Sequence, residues 1–162
     1  MVFVKSTSHA GDAWAVYHEG FGNTAYGTLD TTAAWYTDST RWNDTDPDSV
    51  NFTLGSSGAV NNSAKTYIAY CFADVQGFSK FGSYEGNGNA NGTFVYTGFR
   101  PAFVMTKSID STSSWHIFDN KREGDNIDND PLVAEATTVE ATTDMIDPVS
   151  YTHLRAHETG RN

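Results

Sequence analysis

The feature that most narrows what this chain can fold into is the lack of any sustained 3.6-residue apolar period with helix caps. In its place stand short aromatic and β-branched runs closed by glycine, asparagine or proline. Residues 66–73, Thr-Tyr-Ile-Ala-Tyr-Cys-Phe-Ala, are apolar on both alternating faces and predict a buried strand. Cys71, the sole cysteine, then reads as an inert core thiol, and no internal disulfide can form. Residues 93–97 alternate in polarity, and 103–107 resume as a strand after a turn at 98–101. The run 86–92 is a loop or hairpin connection, since its asparagines and glycines tolerate positive φ. Residues 134–143 have room for one or two helical turns, which their β-branched threonines oppose. Many short strands with frequent turns predict an all-β chain, a β-sandwich or jelly roll.

The sequence also echoes itself at a period near one hundred residues. Phe3-Val-Lys-Ser returns as Phe103-Val-Met-Thr-Lys, and Trp14-Ala-Val-Tyr as Trp115-His-Ile-Phe. The stretch from Leu29 through Asp44 runs parallel to that from Leu132 through Asp147. Shared order predicts about one and a half tandem repeats cut at both ends. Residues 1–77 would be the later part of a first copy and 78–147 the earlier part of a second. Residues 2–105 would together hold a full strand set in permuted order, able to fold as one sandwich, with the region after Trp115 less well anchored. Trp14 with Trp115, and Phe3 with Phe103, are then read as equivalent core positions.

Composition changes abruptly at Pro148. Val149 through Thr159 match, without a mismatch over eleven residues, one reading frame of a transposase-type sequencing adapter. Residues 148–162 are therefore expected to be non-native, and His153 and His157 carry no weight as a metal pair.

Charge excludes whole function classes. Twenty acidic against ten basic residues give a net charge of −10, which speaks against binding a phosphate backbone or an anionic membrane surface. No apolar stretch approaches the roughly 20 residues of a membrane span. Gly-x-Ser-x-Gly and phosphate-binding glycine loops are absent, and Glu19, Glu85, Glu123 and Glu135 show no paired-carboxylate spacing, so catalysis is unsupported.

Two groups of residues remain as candidate sites. Asp125, Asp128 and Asp130, in an acidic loop, could supply oxygens to a hard cation such as calcium. Their spacing is not that of an EF-hand, and a solvated acidic loop is the simpler reading. Aromatic residues make up 14% of the chain. Trp35 and Tyr36 have Thr138 and Val139 as repeat counterparts, so they are read as lying outside the deep core. With Trp42 and Asn43 they form a candidate glycan platform, aromatic faces stacking on sugar C–H surfaces. Packing between adjacent repeats is the competing account.

Residues 65–73, 77–92, 96–105 and 115–122 together resemble a repeated module of tailed-phage proteins, abundant in marine viral and metagenomic sequence. The resemblance spans 2–147 and implies a β-sandwich, concanavalin-like in one form, in a virion protein such as a tail fibre or decoration protein. It supplies no catalytic or ligand residues. The reading that follows is a non-catalytic structural and adhesive module on the particle surface, with other virion subunits and cell-surface glycans as partners. A carbohydrate-active, depolymerase-like domain and a pure structural spacer are the alternatives.

Overall fold

The computed structural model describes residues 1–89, 91–122, 130–140, 145 and 146, and the backbone of 147 and 153–156. The chain is almost entirely β, with antiparallel pairing throughout the described strands. It divides into two compact units, Met1–Ala73 with Ser108–Ser114, and Asp74–Lys107 with Trp115–Asn162.

The first unit contains β1 (Val2–Ser6), β2 (Ala15–Tyr17), β3 (Ala25–Thr28), β4 (Tyr36–Thr37), the one-turn helix α1 (Ser39–Trp42) and β5 (Tyr67–Cys71). Its strands make one five-stranded sheet in the order β4-β3-β2-β1-β5. Register assigns the faces. Val2 pairs with Tyr17 and Val4 with Ala15, so these four side chains share one face. That face is closed by Trp42 and Val60, with Phe52, Leu54, Tyr26 and Tyr67 packed around them. Phe3 and Val16 pair on the opposite face.

Helix α1 exists because its ends are fixed locally. The Asp38 carboxylate caps the Thr40 N–H at 2.9 Å, and Asn43 ends the turn in the left-handed region at φ 53°. One turn is too short to register as a period, yet it carries Trp42 into the core, where the ring is 2% exposed. The Trp42 indole N–H donates to the Ala25 carbonyl at 3.1 Å, and its ring meets Tyr17 edge-on at 5.7 Å.

Burial pushes the Tyr17 phenol up to about 12, with its 3.2 Å hydrogen bond to Asp46 adding to the shift. The folded value lies above the unfolded one of about 10, so the neutral phenol favours the fold. This stabilisation is complete below pH about 10 and is lost as pH rises toward 12. Tyr17→Phe should therefore flatten the fall in stability over that window. Denaturation midpoints measured across alkaline pH check this, and equal slopes in both proteins would refute it.

The second unit contains β6 (Phe94–Tyr96), β7 (Phe103–Lys107), β8 (Trp115–Asp119), β9 (Leu132–Val133), β10 (Ile146–Asp147) and β11 (His153–Ala156). These form two three-stranded sheets, β7-β8-β9 and β10-β11-β6. Phe118 and Val104 from the first meet Ile146 and Val95 from the second in one apolar cluster, as a two-layer sandwich requires. Of the segment read as adapter-encoded, the backbone of 153–156 pairs on both sides, with β6 and β10. Such pairing uses main-chain groups and is compatible with either origin of the residues. The rest of 148–162 lies outside the described residues.

Three expectations change. Strand β5 is not buried: it stands at a sheet edge, Ile68 and Tyr70 are exposed, and Cys71 is an exposed free thiol. An apolar run on both faces suggests an interior strand, but here partial cover comes from ring contacts, Phe3 on Phe72 at 5.4 Å and Trp14 on Tyr70 at 6.1 Å. Trp14 is accordingly only half-buried, whereas Trp115 is core. Phe103 is 57% exposed, whereas Phe3 is buried. Phe3 lies opposite Val16, two residues beyond Trp14; Met105 lies opposite Ile117, two beyond Trp115.

Around the two tryptophans the units share a local bracket. The Trp14 N–H donates to the Asp30 carboxylate at 3.0 Å, and the Trp14 carbonyl accepts from the Leu29 N–H at 3.1 Å. The Trp115 N–H donates to Glu135 at 3.2 Å, and its carbonyl accepts from the Ala134 N–H at 3.2 Å.

Candidate ligand-binding surface

The four residues read as one platform separate. Tyr36 pairs with Tyr26 across β3 and β4, and the rings lie 5.6 Å apart, tilted by 31°. Trp35 precedes Tyr36 and points to the other face, as strand alternation demands. It lies over Gly27, the neighbour of Tyr26, where an added Cβ would come within 2.8 Å of the indole. Phe21 at 4.8 Å and His18 at 6.5 Å complete that aromatic group. The Trp35 indole nitrogen is enclosed and has no hydrogen-bond partner among the described residues. Trp42 is core, so it presents no ring face, and Asn43 serves as the left-handed cap of α1. Adjacent numbering suggested one surface, whereas the pleat and the helical turn send these side chains in different directions.

What the fold does assemble is a group on the β3–β4 edge that sequence reading missed. Tyr36 is 50% exposed and backed by Tyr26. The Arg41 guanidinium lies over the Tyr26 ring at 4.1 Å from its centre. Its Nε donates to Asp38 Oδ2 at 3.3 Å, while Asp38 Oδ1 accepts from the Thr40 hydroxyl at 2.6 Å and the Thr40 N–H. These bonds, the Thr40 hydroxyl first, hold the Asp38 carboxyl below its usual range against the cost of burial. The signal for this group was present in the sequence: Asp38 and Arg41 have the i, i+3 spacing of a helical ion pair, just after an aromatic strand residue.

Elsewhere the chemistry is structural. Asp12 accepts from Lys65 at 2.6 Å, with His9 Nδ1 3.2 Å from its other carboxylate oxygen, and the Lys5 ammonium donates to its main-chain carbonyl, tying the β1–β2 connection to the start of β5. In the second unit burial pushes His116 down, with Glu135 opposing the shift. Asp125 and Asp128 lie outside the described residues, and the Asp130 carbonyl accepts from Arg122 at 3.1 Å. Among the described residues no three His, Cys, Asp or Glu side chains are grouped to hold a metal ion. No described helix is long and apolar enough to cross a membrane.

The sequence model of one family, described as a domain of unknown function (DUF7483), matches residues 1–157. The chain belongs to that family. The matched span passes Asp147 and includes β11, so DUF7483 covers both units of this fold. No curated protein and no solved structure matches the chain.

Proposed function

We propose that this DUF7483 chain is a non-catalytic structural and adhesive module of a phage virion protein, a tail fibre or surface decoration, and that it binds host glycans. The observation that carries the binding reading is Tyr36, an exposed ring backed by Tyr26 on the short edge strand β4 of the five-stranded sheet. An aromatic face of this kind accepts the apolar C–H side of a sugar ring. The phage setting rests on the resemblance of residues 2–147 to a repeated virion module. The matching tryptophan brackets of the two units favour tandem repetition, in which weak sites on successive copies gain avidity. A net charge of −10 fits a particle surface whose partners are virion subunits and glycans, with neither nucleic acid nor membrane.

Glycan-array binding by the whole chain tests this reading, with Tyr36→Ala and Trp35→Ala measured beside it. Tyr36→Ala should weaken binding by about tenfold at unchanged melting temperature. Trp35→Ala should keep its binding and lose stability, because its ring packs on Gly27 and Phe21. Failure of the wild-type chain to bind any glycan, or full binding by Tyr36→Ala, would count against the proposal.

A further inference from the structure

The Arg41 side chain is only 15% exposed, yet Asp38 takes just its Nε. Among the described residues neither terminal nitrogen has a hydrogen-bond partner, and neither is among the enclosed unpartnered atoms, so each keeps some contact with solvent. The fork is therefore fixed on two sides, by Tyr26 beneath its plane and Asp38 at its inner edge, with its outer edge open. Tyr36 stands beside Tyr26 on the same face. We propose that Arg41 is a ligand-binding residue that selects sugars bearing a carboxylate, the Tyr36 ring taking the sugar face and the two Arg41 terminal nitrogens the carboxylate. This rests on the glycan-binding reading and specifies its substrate class.

The chemistry favours an anion for two reasons. A guanidinium presents parallel N–H donors that match the two oxygens of a carboxylate. Its order is already imposed by the protein, so little side-chain freedom is lost when a ligand arrives. A purely structural arginine would need the Tyr26 stacking and the Asp38 bond, and those leave the outer edge unused. In a chain with twice as many acidic as basic residues, a cation held on Tyr26, whose ring also backs the exposed Tyr36, is a selective feature.

The test compares a uronate-containing oligosaccharide, its carboxyl-reduced neutral counterpart and its sulfated counterpart, each titrated into the whole chain. Wild type should prefer the uronate over the neutral sugar by about tenfold or more. Arg41→Gln should abolish that preference while still binding the neutral sugar, and Arg41→Lys, with the charge but no fork, should restore only part of it. Arg41→Lys also keeps the test valid if Arg41→Gln fails to fold, which circular dichroism will show. Equal wild-type binding of uronate and neutral sugar, or an unchanged preference in Arg41→Lys, overturns the proposal while leaving glycan binding intact. Preference for the sulfated sugar overturns the carboxylate assignment. Binding of none of the three overturns both readings.

Discussion

Trp42→Ala should cost the first unit about 3–5 kcal/mol, the range for deleting a large buried aromatic side chain. Trp42 is 2% exposed and shares one core cluster with Val2, Val4, Ala15, Tyr17 and Val60, from β1, β2 and the segment before β5. The truncation opens a cavity at the centre of that cluster and also strips the Ala25 carbonyl of its indole donor. Against a typical total of about 5–15 kcal/mol, such a loss leaves this unit marginal at best. Trp42→Phe should fall between wild type and Trp42→Ala, since it restores ring volume but not the N–H. Urea denaturation of the three proteins decides the matter. An unshifted midpoint for Trp42→Ala would mean that Trp42 is not the centre of the core.

Gly55→Ala should be nearly as severe, for a different reason. The Gly55 N–H donates to the Arg41 carbonyl at 2.9 Å, drawing the chain tightly against α1. An added Cβ would overlap the Thr40 carbonyl oxygen and come within 2.6 Å of its carbon and 3.2 Å of the Asn43 nitrogen. All three are backbone atoms of a turn fixed by its caps, so no side chain can swing aside. The segment must retreat, giving up the Gly55–Arg41 bond and straining that from Ser57 N–H to the Thr40 carbonyl. Overpacking of about 1–3 kcal/mol plus roughly 1 kcal/mol per lost hydrogen bond predicts a total of about 3 kcal/mol. The same shift would disturb Arg41, so Gly55→Ala should lose stability and uronate preference together. Thermal melts read the first and titration the second; wild-type stability would show that the segment relaxes freely.

The all-β character was legible because periodicity reports it directly. Residues 103–107 and the centre of 93–97 are strands, as their composition predicts. Faces and edges were harder. Thr66 to Ala73 reads as a central strand, and nothing local tells that β5 has only one neighbour among the described strands. Trp35 and Tyr36 looked like one surface because alternation cannot be applied to a strand of two residues until its pairing with Tyr26 is known. Trp42 looked like a surface aromatic because a single capped turn leaves no period to read, although Asp38 was a recognisable cap. Phe103 was matched to Phe3 by identity, whereas it stands exposed opposite Asp119 at the end of β8. Arg41 was overlooked because its value as a binding residue comes from Tyr26, fifteen positions earlier, and only folding joins them.

A ligand of this chain should bind on the β3–β4 edge of its first unit, and amide chemical-shift mapping during titration with a uronate oligosaccharide reads that directly. The largest shifts should fall across residues 24–28 and 36–41, together with perturbed Tyr26, Tyr36 and Arg41 side-chain signals. Saturable shifts centred on β5 or on the second unit, with β3 and β4 unmoved, would contradict it.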